Sequence, residues 1–487
     1  MAGIGFALRK LTRRDDLLGI AQGYGHSAVT AAGPWLLTIV SVSSIVLFGS
    51  RSVSVEELNT FRLIVIYNFA FSLVFSGPIV MVATRFLADR IYGKDVSAAP
   101  GLLIGGLAIV FALQAIPATI FYFFYANLEM GTRMIASANF FIVAGIWLVS
   151  IFLSALKDYN GITLTFAIGM GLGLAASALL APVWGLTGML LGFSAGLAMI
   201  LFMIVARVLA EYRYPATQPF QFRTYFKKYW ELAASGLVYN LGIWVDKWIM
   251  WTAPEAIRLK SGLLSYPNYD SAMFLAYLTI VPSMAAFILA VETDFFEEYL
   301  RFYRDIQKHA TFAAIESNHR KIVDSILRGA RNFLILQSSV CLSAILLAPE
   351  LFSALNIDFA QLGMFRIGTL GALFHVMFLG ASVIISYFDK RMALLKLQTL
   401  FLVANGILTW LFLPLGFPFY GYGYFLSAAI SFVLRSRSSR AVRAWPSRSS
   451  DVSCCDRFLI VCTLSLRCSS VSPGSFSSWA SASFRSI

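Results

Sequence analysis

The residues in this sequence that could do chemistry lie in one apolar stretch, 233–251, which carries two charges. Asp246 and Lys247 stand near its end, and Tyr239 and Asn240 precede them. A charge inside a membrane span is costly, so such residues usually face a bundle interior or a water-filled cavity and mark substrate or ion pathways. Neighbouring residues on a helix point about 100° apart. Asp246 and Lys247 are therefore not expected to pair with each other, and each needs a partner on another helix or a wet cavity. We take all four as candidates for a transport path.

A structural alternative for the charged pair stays open. Lys247 could extend its ammonium to the membrane interface, with Trp248 and Trp251 as aromatic anchors beside it. If the helix starts near Ala233, Asp246 lies about 20 Å along it at about 1.5 Å per residue. That position is past the middle of a bilayer, where either interpretation is possible.

Three prolines inside apolar runs are further candidates for the path, because a break in a span frees backbone groups that often line a cavity. These prolines are Pro34, Pro78 and Pro282. The runs that hold the second and third prolines both end in charged residues on the same predicted side of the membrane. A candidate gate on that side consists of Arg85, Asp89 and Asp294.

Catalytic constellations are not found in the sequence. It has no Gly-rich phosphate loop ending in Lys-Ser or Lys-Thr, so ATP hydrolysis by this chain is not expected. Its four histidines stand far apart, and none is followed three or four positions later by a residue that could be a metal ligand. The loops are too short to hold a cytosolic glycosyltransferase domain. We therefore predict a protein that is not an enzyme and that carries no cofactor or metal.

Composition indicates the element that positions these residues. Hydrophobic residues make up 58% of the 487 and charged residues 13%, with a mean hydropathy of +0.74. An ordinary soluble domain has roughly 45–50% apolar and about 25% charged residues. Long apolar runs in a bilayer must form helices, since every backbone group has to be satisfied within the protein. The sequence predicts an all-α polytopic membrane protein.

About twelve transmembrane helices are predicted. The runs are 28–49, 63–83, 101–125, 137–156, 162–181, 187–209, 233–251, 272–293, 333–348, 366–388, 394–413 and 419–434. With a cytosolic N-terminus, the loops on the cytosolic side carry 23 Lys and Arg and those on the opposite side 6. This asymmetry sets membrane orientation and explains the net charge of +13. A nucleic-acid partner is not expected; the partner is the lipid bilayer.

The order of spans predicts two lobes of six helices with a basic linker between them. The lobes are 1–209 and 233–434, and the cytosolic linker is 210–232. A second cytosolic segment, 294–332, has helical charge spacing and is either a connecting helix or a docking surface. Such repeats are common in secondary transporters, where the substrate path lies between them.

The last segment, 435–487, breaks the pattern. It is rich in Ser and Arg, holds four of the five cysteines, and has no helical or strand period. Either it is a disordered basic tail, or the reading frame changes just after Leu434. We favour the change of frame, because composition shifts abruptly within a helix that should continue.

Several segments of this sequence resemble the PelG family of inner-membrane Pel exopolysaccharide transporters, from Met1 to about Leu434. The resembling segments are Met1-Ala2-Gly3-Ile4-Gly5-Phe6, Leu8-Arg9-Lys10-Leu11, Gly33-Pro34-Trp35, Ser76-Gly77-Pro78 and Arg85-Phe86 with Asp89. The resemblance implies the multidrug/oligosaccharidyl-lipid/polysaccharide exporter (MOP) superfamily, with a flippase-like fold and alternating access. It also implies an amino-sugar-rich biofilm polysaccharide as cargo. Implied partners are a cytosolic glycosyltransferase and membrane subunits that respond to cyclic di-GMP.

The resemblance carries over no substrate or ion ligand, so the site candidates rest on physics alone. The leading hypothesis is export of exopolysaccharide from cytosol to periplasm across the bacterial inner membrane. One alternative is a cation-coupled exporter of small molecules or lipid-linked oligosaccharides with the same fold. Another is a noncatalytic membrane scaffold of a polysaccharide synthase complex, docking through 294–332.

Overall fold

A computed structural model describes residues 33–34, 36–156, 159–291, 295–355 and 357–442. The first part of the predicted first span, the candidate gate residue Asp294, and most of the anomalous tail lie outside the described residues. The account of the fold below concerns the described ranges.

The first half of the chain is helical throughout. Its helices are α1 Leu36–Gly49, α2 Val55–Tyr92, α3 Ala99–Thr119, α4 Met130–Leu156 and α5 Tyr159–Glu211. A capping box starts α2, in which Ser54 and Glu57 satisfy each other's backbone N–H groups. A π-helical turn, Ile120–Tyr125, ends α3.

Helix α5 contains both the fifth and sixth predicted spans. Its backbone turns at Gly185, where φ is 54° and ψ is −133°. A residue with a Cβ rarely adopts a positive φ, so glycine permits this reversal. The two helical segments on either side of the turn pack against each other through glycines: a Cβ on Gly196 would lie 2.4 Å from the carbonyl oxygen of Gly169.

A linker with the short helix α6, Arg223–Lys228, leads to α7, Trp230–Met250. An antiparallel hairpin follows, in which β1 Ile257–Arg258 pairs with β2 Leu264–Ser265. The sequence did not predict this hairpin. Its turn includes Gly262 at φ +81°, a conformation that favours glycine.

The second half is also helical. Its helices are α8 Pro267–Leu278, α9 Val281–Ala290, α10 Phe296–Gln307, α11 Phe312–Ala354, α12 Leu362–Tyr387, α13 Arg391–Phe412 and α14 Tyr422–Val442. The apolar segment Pro267–Phe287 is long enough to cross a membrane, and Pro282 lies within it. The predicted eighth span is two helices, and Pro282 is the second residue of α9, because a residue without an N–H fits the first turn of a helix, where that group has no partner.

Eight helices of the described residues are long and apolar enough to cross a membrane. The chain is thus a multi-pass, almost entirely α-helical membrane protein, as composition predicted. Each predicted span is helical where it is described, the eighth as two consecutive helices, but the total of twelve and the lobe boundaries stay predictions.

The two halves meet where α2 packs against α7. At the crossing, a Cβ on Gly236 would lie 2.5 Å from the carbonyl oxygen of Gly77. Only glycine on both helices allows backbones to approach so closely. The linker touches the first half similarly, since a Cβ on Gly105 would lie 1.8 Å from the carbonyl oxygen of Pro219.

Candidate transport path

A cavity of about 170 Å³ lies beside the α2–α7 crossing, between the two halves. We call it the central cavity. Its residues come from α2, α4, α7 and α13: Leu73, Gly77, Val80, Met81, Trp147, Ser235, Gly236, Tyr239, Asn240 and Gln398. It thus contains two candidates predicted from sequence, Tyr239 and Asn240.

A few amide and hydroxyl groups lie among the mostly apolar residues that line the central cavity. Asn240 Nδ2 donates to the carbonyl of Leu73 on the facing helix, at 3.0 Å. Ser235 Oγ donates to Gln398 Oε1 within the second half. Trp147 Nε1 donates to Ser72 Oγ at 3.1 Å, which fixes an indole at the cavity wall. Neutral hydrogen-bonding groups beside an aromatic ring suit a polar, uncharged cargo such as a sugar ring.

The structure corrects the expectation that Asp246 and Lys247 do not pair. Lys247 Nζ lies 3.2 Å from Asp246 Oδ2. The flexible four-carbon stem folds back along the helix, so the ammonium also reaches the carbonyl of Ile243 at 3.1 Å. The two Cβ atoms point apart as expected, but the length of the lysine side chain overcomes that divergence.

Other helices complete the surroundings of the pair. Tyr269 on α8 donates its hydroxyl to Asp246 Oδ2 at 2.9 Å. Asn405 on α13 approaches Asp246 Oδ1 at 3.4 Å and donates to the carbonyl of Gly242 at 2.9 Å. The ammonium of Lys247 lies 4.8 Å from the centre of the Tyr277 ring. The Asp246 side chain is fully buried and that of Lys247 is 11% exposed, so this ion pair is enclosed by protein.

A row of aromatic side chains connects the ion pair to the central cavity. Tyr239 Oη lies 3.4 Å from His375 Nε2, and His375 Nδ1 lies 2.9 Å from Tyr424 Oη. The Tyr424 ring contacts the Tyr277 ring at 5.4 Å between centroids, and Tyr277 underlies Lys247. The buried charges and the central cavity are therefore parts of one continuous polar region.

Charged residues join the two halves where α2 ends and α7 begins, which we call the basic end. Arg85 Nη1 lies 3.4 Å from Asp389 Oδ1 across the halves, and Arg85 Nε lies 3.1 Å from Asp89. Arg391 pairs with Asp389 at 3.4 Å and with Glu231 at 3.7 Å. We call this group the basic-end latch. Its pairs are partly exposed, so each contributes only about 0.2–1 kcal/mol and can be broken and re-formed.

The Tyr229 ring lies among the cations of the latch. The guanidinium carbons of Arg85 and Arg391 are 5.1 Å and 4.8 Å from its centre, and Lys228 Nζ is also 5.1 Å away. Each cation–π contact contributes about 0.5–1 kcal/mol at a partly exposed site. Tyr229 lies in the linker, directly before α7, so the linker forms part of the latch.

Aromatic stacking joins the halves at the opposite end of α2, which we call the hairpin end. Tyr67 stacks on Trp251 with ring centres 4.7 Å apart, and Phe71 stacks on Trp248 at 4.9 Å. Tyr67 Oη also donates to the carbonyl of Leu264 in the hairpin at 2.9 Å. The contact between α2 and α7 is thus closed at both ends and at its middle.

The remaining sequence candidates are distributed as follows. Pro78 is half-buried within α2, next to the glycine crossing, and Pro34 is half-buried with its carbonyl accepting from Thr38 Oγ1 at 2.9 Å. Pro282 is exposed. Arg85 and Asp89 meet in the latch, whereas Asp294 lies outside the described residues.

Sequence reasoning missed several partners of these residues. They are Gln398 and Trp147 in the central cavity, Tyr269 beside Asp246, and Tyr229, Glu231, Asp389 and Arg391 in the latch. A signal for one of them was present, because Asp389-Lys390-Arg391 follows the tenth predicted span as Asp89-Arg90 follows the second. No group of His, Cys, Asp and Glu within the described ranges is placed to hold a metal ion.

Solved transporter structures share this fold. An inward-facing multidrug resistance MATE family transporter of the MOP superfamily matches with a TM-score of 0.60 and 14% identity, over 86% of this chain and 100% of that chain. An outward-facing structure of such a transporter gives 0.59 and 14%, over 84% and 93%. A MOP superfamily transporter from Pyrococcus furiosus gives 0.58 and 14%, over 86% and 96%.

Sequence comparison identifies the family. No curated protein sequence matches this chain significantly. The sequence profile of PelG, described as "Putative exopolysaccharide Exporter (EPS-E)", matches residues 1–436. The match stops within two residues of Leu434, where the composition of the chain changes. With this match over most of its length and the fold of MOP transporters, the chain belongs to the PelG family of exopolysaccharide exporters.

Proposed function

We propose that this chain moves a polysaccharide of the Pel type through the central cavity by alternating separation of its two halves. The observation that carries the proposal is a cavity between the halves, lined by two aromatic rings and a few amide and hydroxyl groups, with breakable contacts between the halves at both ends. No specific contact supports either alternative, the cation-coupled exporter or the noncatalytic scaffold. Helix α10, which lies in the predicted docking segment of the scaffold, packs on its own chain: Tyr299 Oη donates to the carbonyl of Tyr387 at 3.2 Å.

The size of the central cavity supports movement of the halves. Ligand pockets usually have volumes of about 300–1,000 Å³, whereas this cavity has about 170 Å³. A polysaccharide cannot pass through it in the described conformation, so transport requires the halves to separate. Solved transporters with the same fold are known in inward-facing and outward-facing conformations.

The charges support one orientation in the membrane. The basic end carries the Lys and Arg of the loops predicted to be cytosolic, and the positive-inside rule places such loops in the cytosol. In this orientation the hairpin end faces the periplasm of a bacterial inner membrane. The latch would then be the cytosolic gate, and it would lie next to a cytosolic glycosyltransferase and cyclic di-GMP-responsive membrane subunits that supply the polymer.

Replacing Gln398 by Leu tests the central cavity. This variant removes an amide that lines the cavity, and loss of one hydrogen bond, about 1 kcal/mol, corresponds to roughly a fivefold weaker interaction per sugar unit. We expect polymer secretion by a Pel-producing host, measured by carbohydrate analysis of the culture medium, to fall at least that far. The matched control is Thr399→Val, because Thr399 is exposed and bonds only to its own helix. Secretion that is normal in Gln398→Leu at normal protein level would refute the assignment of the path.

Replacing Asp389 by Asn tests the latch. The change removes the carboxylate that pairs with Arg85 across the halves, a contact worth about 0.2–1 kcal/mol after solvent screening. We expect the basic end to open roughly 1.5- to 5-fold more often. The readout is the rate of maleimide labelling of Ser235→Cys, in the central cavity, in a background without native cysteines.

The control for the latch is Asp95→Asn. Asp95 pairs with Arg90 at 3.3 Å, but both residues belong to the first half. Breaking that pair should leave the labelling rate unchanged. If Asp389→Asn labels no faster than Asp95→Asn, the latch does not hold the halves together.

A further inference from the structure

Helix α11 presents one apolar face to its surroundings. Among the eight spans of the described residues it has the smallest buried share, 22% of its most apolar part. Ile335, Leu342 and Leu346 are 58%, 60% and 68% exposed, and their spacing of seven and then four residues places them on one side of the helix. In a membrane protein such a row of side chains contacts lipid tails, which are as apolar as leucine. We call this row the lipid face of α11.

Basic residues continue the lipid face beyond its apolar part. Arg331 and Arg328 precede Ile335 by four and seven residues, and Lys321 precedes Arg328 by seven more. At about 100° per residue, all three lie within about 40° of Ile335 around the helix axis. All three are exposed, and none has an ion-pair partner among the described residues. We call these three residues the basic stripe.

The basic stripe lies at the basic end of the molecule. Helix α10, which precedes α11, packs there: Gln307 Nε2 donates to the hydroxyl of Tyr92, the last residue of α2, at 3.1 Å. The α10 residue Phe302 in turn contacts His319 of α11, with ring centres 6.0 Å apart. The first turns of α11 therefore extend past the membrane on the side where Lys and Arg are concentrated.

The two arginines of the stripe lie at the depth of lipid headgroups. At about 1.5 Å per residue, Arg331 and Arg328 are roughly 6 Å and 10 Å from Ile335 along the axis. The headgroup region of one leaflet is about 5–8 Å thick, and helical side chains lean toward the start of their helix. Both guanidinium groups therefore fall among the headgroups or at their outer edge. Lys321, about 21 Å from Ile335, lies farther out.

The charge around the stripe favours an anionic headgroup. Arg320 on the same side is already paired with Glu316, at 2.7 Å. Asp324 is exposed between the members of the stripe, so three basic residues against one carboxylate leave two positive charges. A phosphodiester is a suitable counter-ion, because two of its oxygens can accept a pair of N–H groups from one guanidinium.

The chain's own last segment is not a suitable occupant of this surface. Residues 435–487 hold eight arginines and two aspartates, so they carry the same sign of charge as the basic stripe. Like charges repel, and the stripe would not attract this segment. An anionic lipid matches both parts of the surface at once, the charge of the stripe and the apolar row below it.

We propose that Arg328 and Arg331 bind the phosphate of an anionic phospholipid whose acyl chain lies along the lipid face of α11. Lys321 adds a weaker attraction, which falls off over a Debye length of about 8 Å at physiological ionic strength. The inference goes beyond the proposed function, because it concerns the lipid around the protein and not the cargo.

Fluorescence quenching by brominated lipids in vesicles tests the proposal. The full chain carries a fluorophore on Ile335→Cys, in a background without native cysteines, in vesicles of phosphatidylcholine and phosphatidylglycerol. Two sets of vesicles have the same lipid composition and the same bromine content. The brominated chains belong to phosphatidylglycerol in one set and to phosphatidylcholine in the other. Stronger quenching in the first set measures the enrichment of the anionic lipid, which we expect to be at least about tenfold for two arginines.

Removing the arginines should remove this enrichment. Arg328→Gln and Arg331→Gln should each lower it by about fivefold, the equivalent of about 1 kcal/mol for one basic residue at an anionic surface. The matched control is Arg320→Gln, which removes the same charge from the same side of α11. Arg320 is farther from the lipid and already paired, so this change should alter the enrichment by less than about twofold. These side chains are exposed, so each variant should elute from size-exclusion chromatography as the unaltered chain does.

A label at the other end of the helix shows whether the enrichment is local. Leu351 is 38% exposed, and a fluorophore on Leu351→Cys should be quenched equally in the two sets of vesicles. Equal quenching at Ile335→Cys, or equal losses in Arg320→Gln and Arg328→Gln, would overturn the proposal. Loss of the enrichment on adding soluble glycerol phosphate at the concentration of the lipid would assign the arginines to a free phosphate, and would overturn it too.

Discussion

Asp246→Asn is expected to destabilise the protein by about 3–5 kcal/mol, because it leaves the ammonium of Lys247 buried without its counter-ion. Lys247→Met is expected to do the same by leaving the Asp246 carboxylate unpaired, apart from Tyr269 and Asn405. The measurement is the temperature at which half of the detergent-solubilised protein leaves the monodisperse peak in size-exclusion chromatography.

The double variant Asp246→Asn/Lys247→Met should recover most of that stability. Replacing both members of a buried pair by neutral groups of similar size is often neutral, since no uncompensated charge remains. The surface pair Arg320 and Glu316, with side chains 71% and 46% exposed, provides the control; Arg320→Met should change the midpoint little. A double variant no more stable than the single variants would show that the two residues do not act as a pair.

Secretion by the same double variant distinguishes a structural pair from a transport role. We expect a folded protein that secretes little polymer, because the pair adjoins the row of Tyr277, Tyr424 and His375 that leads to the central cavity. Ionisable groups buried between membrane helices commonly serve ion or substrate pathways. Full secretion by the stable double variant would assign Asp246 and Lys247 to stability alone.

Gly236→Leu should abolish polymer secretion by forcing α7 away from α2. Even the first atom of a new side chain would lie 2.5 Å from the carbonyl oxygen of Gly77 and 2.7 Å from Met81 Cγ. Overpacking commonly costs about 1–3 kcal/mol, and here the obstacle is backbone, which cannot rotate aside. The halves should separate at the crossing, lose the bond from Asn240 to Leu73, and label faster at Ser235→Cys.

Gly171→Leu is the matched control for the crossing. A Cβ added to Gly171 in α5 meets no atom within 4 Å, and the position is exposed. The same residue change there should leave secretion and labelling near those of the unaltered chain. Normal secretion by Gly236→Leu would mean that close contact of α2 and α7 is not required for transport.

Much of the fold could be predicted because lipid imposes a local rule. A run of about twenty apolar residues must form a helix whatever its neighbours, so the positions of the helices follow from composition. Positions where the chain turns did not follow from this rule. The break before Val281 and the two-residue strands around Gly262 depend on single residues, not on average hydropathy.

The sequence predicted only those residues of the candidate site that lie together in one apolar run. Tyr239, Asn240, Asp246 and Lys247 are unusual for an apolar run, so the sequence marks them. Their partners are ordinary polar residues on distant helices: Gln398 is 163 positions from Ser235, and Asn405 is 159 positions from Asp246. Helix packing, which one sequence does not encode locally, brings them together. The prediction that Asp246 and Lys247 do not pair was wrong for another reason, since helical geometry fixes Cβ directions but not the reach of a long side chain.

The glycine contact between α2 and α7 has a consequence for how tightly the membrane stays sealed. At Gly77 and Gly236 the two helices touch through main-chain atoms, so no side-chain rotation there can open a gap for water or protons. The crossing lies between the latch at one end and the stacked Tyr67 and Trp251 at the other. In the proposed motion the halves rock about this point, so that the contacts at one end separate while those at the other end close. In the proposed transport cycle, such a pivot keeps part of the interface between the halves closed whichever end is open.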